Sequence, residues 1–383
     1  MTGVDANYSL DMEKAGKTWS EGNTPGDLFA ILHSAGVDSF RVRLWTGDDG
    51  LNGLEYATTI AKRAQAAGSK PYLVIFLSEN WSDLVKQPLP AVWKDVDEPA
   101  KLAAIETYAE RVTKHFIDAG INIELFEIGN EIDFGICGVF EEAWPNRVSV
   151  EYMRAKIWPR MIPIINAAQR GVKKAQPNAK FILHLAQWAK ADWCTAFWQT
   201  MLAGGVQLDY PGLSYFPTSA NDEKTRPLAF LHTQVDAIYA ALKKPVVICE
   251  SGYPSAATFP GQFADWNKPV PGFTLDPAGQ QKWVADYLAS ARANEHLAGA
   301  FYWSPEWYAS DLWSEFALFD SAGKAKPAMK SLAPAVTGPA TQPSGAVNED
   351  TKPCIGISSW LRCFVFNCLL GSDLGALGVL AFV

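Results

Sequence analysis

Eight short apolar runs alternate with amphipathic segments from residue 3 to about residue 332 of this 383-residue chain. The runs have the length and composition of buried strands, and they lie near residues 3–6, 39–45, 70–77, 123–129, 179–186, 208–215, 245–250 and 298–303. The segments between them predict helices near residues 25–35, 53–67, 99–119, 148–175, 192–204, 223–242, 277–294 and 325–333. A strand–helix unit repeated eight times predicts a (β/α)8 barrel, a closed parallel sheet inside a ring of helices.

The sequence changes character after the last helical segment, which sets the expected domain boundaries. Residues 1–333 are predicted to form the barrel, and residues 334–353, rich in Pro, Thr and Gly, predict a flexible linker. Residues 354–383 are apolar but interrupted by Arg362, Asn367 and Asp373, so they do not predict a membrane span. A lipid-anchor signal and an unnatural C-terminus both stay open for this tail.

Composition excludes some classes of partner. The net charge of −8 argues against nucleic acid, because binding phosphates requires a basic surface. No cysteine pair has metal-ligand spacing, so neither a metal nor another cofactor is expected, and Cys249 is predicted to be a reduced core thiol. The N-terminus lacks a secretory apolar region, and we expect a secreted monomer whose leader has been removed rather than an intracellular protein.

Two glutamates stand at the carboxyl ends of predicted buried strands. Glu131 closes the segment Gly129-Asn130-Glu131, and Glu250 ends the apolar run at residues 245–250. In a parallel barrel all strand carboxyl ends meet on one face, so both side chains are expected over a common cleft. A facing pair of carboxyl groups is the catalytic arrangement that most glycosidases use. A single such Glu would more simply be a solvated or salt-bridged strand end.

Two arginines alternate along the second predicted strand. Arg41 and Arg43 are two residues apart, so both guanidinium groups should point to one face of the strand. Burial against apolar helices would be costly, which favours the barrel mouth. There an arginine can hold a catalytic carboxylate ionised. For Arg43, a purely structural ion pair is an equally good interpretation.

A series of motifs gives the chain a specific resemblance. It resembles glycoside hydrolase family 53, the endo-β-1,4-galactanases, within the clan of (β/α)8 retaining glycosidases, as a divergent member. The matching stretches occur in order along residues 3–320: Gly3-Val4-Asp5, Arg41-Val42-Arg43-Leu44-Trp45, Ser78-Glu79-Asn80-Trp81-Ser82-Asp83, Gln87 with Pro90-Ala91-Val92-Trp93, Gly129-Asn130-Glu131, Gly212-Leu213-Ser214-Tyr215-Phe216-Pro217, Lys244-Pro245-Val246-Val247, Glu250 with Tyr253-Pro254, Phe301-Tyr302-Trp303, and Ala317-Leu318-Phe319-Asp320.

The resemblance implies roles for the central residues. Glu131 would be the general acid/base and Glu250 the nucleophile of a retaining mechanism, which requires carboxyl groups about 5–5.5 Å apart. Asn130 would hydrogen-bond the sugar 2-hydroxyl. Arg41 and a tyrosine hydroxyl such as that of Tyr215 would keep Glu250 ionised by hydrogen bonding.

Further residues are expected around this pair. Trp81 and Trp303 are predicted to stack on sugar rings. His184 ends the fifth strand and is expected either to contact substrate or to be a satisfied barrel histidine. Asp5 is expected to hydrogen-bond at the barrel mouth without acting as a third catalytic carboxylate.

The chain also departs from the family pattern. Phe76-Leu77-Ser78-Glu79 stands where the family has His-Tyr-Ser-Asp, and Glu306 is expected to stand in for a carboxylate that the family places directly after the eighth-strand Trp. These departures leave three functions open. They are an endo-β-1,4-galactanase acting on galactan or arabinogalactan, the same mechanism on another β-glycan or β-glycoside, and a barrel that binds carbohydrate without cutting it.

Overall fold

The computed structural model describes residues 1–334. The predicted tail, residues 354–383, and all of the predicted linker after residue 334 lie outside the described residues, so the domain boundaries stay predictions. Among residues 1–334, no helix is both long enough and apolar enough to cross a membrane.

The strands confirm the predicted alternation. In chain order they are β1 (Thr2–Asp5), β2 (Trp19–Glu21), β3 (Thr24–Gly26), β4 (Ser39–Leu44), β5 (Lys70–Ile75), β6 (Leu125–Ile128), β7 (Gly135–Ile136), β8 (Val139–Phe140), β9 (Lys180–Leu185), β10 (Tyr210–Tyr215), β11 (Val246–Ser251) and β12 (Leu297–Trp303). Eight of them form a closed parallel barrel in the order β1-β12-β11-β10-β9-β6-β5-β4, closed by pairing of β1 with β4. The (β/α)8 prediction is confirmed.

The helices surround the barrel and mostly follow the predicted segments. They are α1 (Ser9–Lys14), α2 (Leu28–Ser34), α3 (Leu54–Ala66), α4 (Glu98–Asp118), α5 (Trp144–Val148), α6 (Val150–Lys156), α7 (Trp158–Ala175), α8 (Ala191–Ala203), α9 (Leu228–Leu242) and α10 (Pro277–Ala293), and the final predicted helix is a 3-10 helix at Pro327–Leu332. The prediction of a single helix over residues 148–175 is wrong. The structure has two helices there, α6 and α7, and the helix is interrupted at Ile157 between them. Pro159 lies in the first turn of α7, where its missing N–H costs no helical hydrogen bond.

Two short hairpins interrupt the alternation and were not predicted. β2 pairs with β3, and β7 pairs with β8, each antiparallel. Each strand has only two or three residues, which is too short to show a period in the sequence. The β7–β8 hairpin matters for the site because it follows Glu131 directly.

The barrel interior is apolar at its centre and polar toward the carboxyl ends of the strands. A buried cluster of Tyr72, Val74, Ile182, Val247 and Cys249, with Phe76 and Phe301, fills the centre. Cys249 is a free buried thiol, as predicted. Toward the carboxyl ends of the strands this apolar layer gives way to charged side chains that are equally buried. The candidate site is built on this upper layer.

Candidate active site

A single guanidinium organises the polar layer. Arg41, on β4, is fully buried, and its Nη1 donates to Asp5 at 2.6 Å and to Glu250 at 2.7 Å. Its Nε and Nη2 donate to the two oxygens of Glu127 at 3.1 and 2.5 Å, and Nη2 also donates to Asn130 at 2.7 Å. The expected hydrogen bond from Arg41 to Glu250 is therefore present. Arg41 joins residues from strands β1, β4, β6 and β11 into one network.

The segment after β6 turns sharply to present Glu131. Gly129 has φ +76° and Glu131 has φ +45°, both in the left-handed region. Glycine adopts that region freely, whereas a glutamate there stores backbone strain of about 1–3 kcal/mol. The turn is held from outside, because the Gln87 amide donates to the backbone carbonyl of Asn130 at 2.9 Å. The strain falls on a residue that the sequence predicts to act on substrate.

We expect Gly129→Ala to destabilise the protein strongly. A Cβ at this position would collide with Ile132 and approach Ile136 to 2.9 Å, in addition to the cost of its φ of +76°. Gly120→Ala is a matched control, because Gly120 has φ +77° with open space around the same atom. Urea unfolding should give a loss of about 2–4 kcal/mol for the first variant and about 1 kcal/mol for the second. Equal losses would contradict the steric argument.

The structure brings Glu131 and Glu250 to the same part of the barrel mouth. The Oγ of Ser214, on β10, donates to Oε1 of Glu131 at 2.5 Å. In the pairing of β10 with β11, Ser214 is the register partner of Glu250. Glu131 therefore contacts the residue that lies beside Glu250 on the neighbouring strand. Both residues are largely buried but keep a small exposed fraction, 7% for Glu131 and 3% for Glu250.

Burial and charge distinguish the two carboxyl groups. Burial raises the pKa of Glu131 well above its ordinary range, and the nearby charge of Glu250 raises it further. Burial also raises the pKa of Glu250, but the positive charge of Arg41 lowers it in part. Among residues 1–334, Glu250 has a cationic donor whereas the side chain of Glu131 has the neutral Ser214 hydroxyl, so Glu131 is the group that keeps a proton longer as pH rises.

Comparison with known proteins identifies the family. A family model described as glycosyl hydrolase family 53 matches residues 1–332. The chain belongs to this family. It is a glycoside hydrolase, as the resemblance implied.

Curated relatives match over most of their length. The family 53 enzyme is 31% identical over 323 residues to a probable arabinogalactan endo-β-1,4-galactanase A of Aspergillus terreus, covering 80% of this chain and 85% of the relative. It is 28% identical over 319 residues to an arabinogalactan endo-β-1,4-galactanase of Thermothelomyces thermophilus, covering 80% and 89% of the two chains.

Solved structures share the fold. A structure described among two fungal β-1,4-galactanases superposes with a TM-score of 0.74 at 24% identity, covering 86% of this chain and 98% of the other. The family 53 catalytic domain of Ignisphaera aggregans gives a TM-score of 0.73 at 24% identity, covering 86% and 94%.

His184 of the family 53 enzyme is a satisfied barrel histidine, one of its two expected roles. Its Nδ1 lies 3.0 Å from Oε1 of Glu127, and its Nε2 lies 2.8 Å from Oγ of Ser214. The ring is fully buried. Both nitrogens therefore have protein partners, and the ring connects Glu127 with the serine that contacts Glu131.

Arg43 forms the structural ion pair that the sequence left open. Its Nη2 lies 2.6 Å from Asp5, and its guanidinium carbon lies 5.0–5.1 Å from the ring centres of Tyr8, Trp81 and Trp303. Asp5 thus joins Arg41 to Arg43, which places it at the barrel mouth as expected. The two tryptophans pack edge to face at 5.8 Å and form one aromatic wall of the mouth.

The expected role of Tyr215 is wrong. Its hydroxyl donates to the backbone carbonyl of Arg226 at 2.7 Å, and its ring packs on Trp188 at 4.8 Å. Alternation along β10 explains this orientation, because Ser214 points into the barrel and the next residue must point toward the helices. The hydroxyl at β10 that serves the site belongs to Ser214, and it contacts Glu131.

Glu306 and Phe76, two positions at which the chain departs from the family pattern, are both fully buried. Glu306 is fully buried, its Oε1 accepts the backbone N–H of Tyr8 at 2.9 Å, and burial raises its pKa to about 8. In this structure it binds the first loop and does not reach the open cleft as a stand-in carboxylate. Phe76 is buried against Trp81, with ring centres 5.8 Å apart.

Three contributors to the site were missed in the sequence. Glu127 binds Arg41, Ser214 binds Glu131, and Asn7 accepts from the backbone of Arg43 at 3.0 Å. For Glu127 and Ser214 a signal existed, because both are polar residues at inward positions of strands that are otherwise apolar. Asn7 follows β1 in a loop, where no period marks its direction.

Glu127, His184 and Cys249 bring possible metal-ligand atoms within 4.8 Å of one another. The geometry does not suit a cation, because Arg41 already binds both oxygens of Glu127. Burial also raises the pKa of the Cys249 thiol well above its ordinary range, which disfavours the thiolate form that binds metals. Glu127 and His184 belong instead to the hydrogen-bonded network around Arg41.

Proposed function

We propose that this family 53 enzyme is an endo-β-1,4-galactanase that acts by double displacement, with Glu250 as nucleophile and Glu131 as general acid/base. The observation that carries the assignment is the asymmetry of the pair. Arg41 donates to Glu250 at 2.7 Å, whereas the donor to Glu131 in the described part of the chain is the neutral hydroxyl of Ser214. A cationic donor favours the ionised nucleophile, and a buried carboxyl without one favours the protonated acid.

In the first step Glu250 attacks the anomeric carbon and forms a glycosyl–enzyme ester. The bond to the leaving oxygen breaks, and Glu131 gives that oxygen its proton. Arg41 keeps Glu250 ionised before attack and stays paired with Asp5 and Glu127 when the charge of Glu250 is consumed. The nucleophile can therefore lose its charge without leaving the guanidinium unpaired.

In the second step Glu131, now a carboxylate, takes a proton from water as the water attacks the anomeric carbon. The ester bond to Glu250 breaks, and the sugar is released with its original configuration. Asn130 lies beside Glu131, and its Oδ1 accepts from Arg41 while its Nδ2 donates to the carbonyl of Ser82 at 2.9 Å. This fixed amide is suited to hydrogen-bond the 2-hydroxyl of the bound sugar.

Two observations support β-1,4-galactan as the substrate. Curated relatives along four-fifths of the chain are named arabinogalactan endo-β-1,4-galactanases. In the aromatic wall Trp303 is only 5% exposed, but Trp81 is partly exposed and offers a ring of the kind that stacks on the apolar face of a sugar. Phe76, apolar where the family has a histidine, favours a second candidate, the same mechanism on another β-glycan.

Product analysis separates the candidates. The enzyme is incubated with a panel of plant β-glycans, and the products are resolved by chromatography. Short β-1,4-galactooligosaccharides from galactan are expected. A fluorinated β-galactoside should also label Glu250, as read by peptide mass. Labelling without galactan cleavage would favour another β-glycan, and no label with no products would leave only a binding barrel.

Removing the acid should separate two classes of substrate. We expect Glu131→Ala to reduce galactan hydrolysis by about 10²–10⁴-fold, because the sugar leaving group needs a proton. A dinitrophenyl β-galactobioside, whose leaving group needs none, should form the glycosyl–enzyme at a nearly normal rate. Azide should then speed turnover and give the β-galactosyl azide, since it attacks where water would. Equal losses on both substrates would contradict the role of Glu131.

We further propose that the enzyme acts outside the cell as a monomer. The support is chemical, since a polysaccharide is too large to cross a membrane, and the net charge of −8 favours solubility. Light scattering on the purified protein and activity measurements on culture medium test the two parts separately. A dimer mass or activity confined to cell extracts would contradict the respective part.

A further inference from the structure

A continuous hydrogen-bonded chain runs beneath the proposed acid. Oε1 of Glu127 lies 3.0 Å from Nδ1 of His184, Nε2 of His184 lies 2.8 Å from Oγ of Ser214, and Oγ of Ser214 lies 2.5 Å from Oε1 of Glu131. The first three residues are buried to within 2% exposure. They come from β6, β9 and β10, three consecutive strands of the barrel.

The charge of Glu127 sets the direction of this chain. Burial opposes its ionisation, but the positive charges of Arg41 and His184 lower the pKa of Glu127 to about 2. An ionised carboxylate can only accept, so Nδ1 of His184 must carry a hydrogen. Ser214 has a single hydrogen. When Glu131 is a carboxylate it must receive that hydrogen, and Nε2 of His184 must then donate to the serine oxygen.

We propose that Glu127, His184 and Ser214 form a donor chain that positions the carboxyl of Glu131 for acid/base catalysis. The chain commits Oε1 of Glu131 to accept, leaves Oε2 to carry the proton that goes to the leaving group, and stabilises the carboxylate that remains afterwards. The inference rests on the proposed function and adds positioning residues to it. None of the three residues is required to touch substrate.

Other charged side chains also lie near Glu131 and His184 and influence the ionisation of Glu131. Glu250 from β11, Asp83 from the loop after β5 and Asp133 from the loop after β6 all disfavour the carboxylate of Glu131. Arg41 approaches His184, with Nη2 3.5 Å from Nδ1, and Asp133 also faces the ring. With three anions opposing ionisation, Ser214 is the protein donor to the Glu131 carboxylate within the described residues.

The test is the pH profile of kcat/KM on galactan. Ser214→Ala removes the donor to the carboxylate, so Glu131 holds its proton to higher pH, and the alkaline limb should move up by about one pH unit. Ser214→Thr keeps the hydroxyl and should keep the limb in place. Ser251→Ala is the matched control, because the Ser251 hydroxyl is equally buried beside Glu250 but donates to the backbone of Phe301 at 2.7 Å.

A double-mutant cycle tests whether His184 acts through Ser214. His184→Leu should move the limb in the same direction by less, and His184→Gln, whose amide can still donate to Ser214, should restore it in part. The variant that carries both His184→Leu and Ser214→Ala should match Ser214→Ala alone. Additive shifts would overturn the chain, as would a Ser214→Ala limb that does not move.

Failure of this inference is distinguishable from failure of the proposed function. Glu131→Ala is measured on the same two substrates beside the chain variants. If its losses separate by leaving group while Ser214→Ala leaves the alkaline limb unmoved, the donor chain is wrong and the acid assignment stands. If its losses do not separate, the acid assignment itself is wrong, and the chain has no catalytic group to position.

Discussion

Glu250→Gln is expected to reduce turnover of galactan by about 10⁵-fold or more, while leaving the fold intact. Loss of a covalent nucleophile removes the low-barrier route, and what remains is binding and charge stabilisation. The amide keeps the shape of the side chain. Arg41 also keeps its bonds to Asp5 and Glu127, so the network retains two of its three carboxylates. Turnover is read from reducing ends, and folding from the thermal transition.

The control for this variant is Glu315→Gln. Glu315 is a half-buried carboxylate on the same chain, bonded to the Ser255 hydroxyl at 3.0 Å, and it has no part in the proposed steps. Its activity should stay within about twofold of the parent. Azide adds a stereochemical check, because with Glu250→Ala it attacks from the vacated side and should give the α-galactosyl azide. Turnover within tenfold of the parent would refute the nucleophile.

The fold was predictable because buried strands and helices each give a recognisable pattern of apolar residues in the sequence. Parallel barrel strands are covered on both faces, so they appear as unbroken apolar runs, and helices such as α4 show a three- and four-residue step. Inside α4, the periodic residues Ile105, Tyr108, Val112 and Phe116 are all buried. Local breaks carry no such period, which is why the interruption at Ile157 was missed.

Alternation along strands also predicted part of the site. Arg41 and Arg43, two residues apart, both point into the barrel mouth, and the hydrogen bond from Arg41 to Glu250 follows from that placement. The same rule applied to β10 would have selected Ser214 over Tyr215. The resemblance points to a tyrosine hydroxyl, but Tyr215 lies on the outer face of β10, where its hydroxyl binds the Arg226 carbonyl.

Pairing between distant strands was not predictable from the sequence. The register of β10 against β11 shifts between Leu213 and Ser214, and this irregularity sets Ser214 beside Glu250. A one-residue shift of register has no local signature. The left-handed turn at Glu131 is likewise imposed by tertiary contacts, since Gln87 holds the backbone there. The sequence could name the proposed catalytic pair, Glu131 and Glu250, but not the residues that hold the two side chains in place.

The buried charged residues around Glu131 together determine which of its two protonation states is favoured. Asp5, Glu127 and Glu250 offer three negative charges against the two positive charges of Arg41 and Arg43. A fourth anion at Glu131 would leave the buried layer with one uncompensated negative charge even when His184 carries both ring hydrogens, as the proposed donor chain requires. This imbalance favours a protonated Glu131 in the resting enzyme, and the donor from Ser214 becomes important once that proton has been delivered.

Arg41→Met is expected to be among the most destabilising single substitutions in the chain. It removes the common partner of Asp5, Glu127 and Glu250 and leaves buried carboxylates without their cation, a change that costs about 3–5 kcal/mol when one buried partner is lost. Arg170→Met is the control, because its pair with Glu106 lies at the surface and should contribute at most about 1 kcal/mol. Urea unfolding at pH 7 measures both.

The loss caused by Arg41→Met should also depend on pH in a defined direction. In the parent, the lowered pKa of Glu127, about 2, contributes stability above its unfolded value of about 4.3 that is lost as pH falls toward 2. Without the guanidinium, burial raises the pKa of Glu127 and makes its ionisation unfavourable. The variant should therefore lie furthest below the parent at pH 7 and closer to it at pH 4. An equal loss at both pH values would show that Arg41 stabilises the barrel by packing alone.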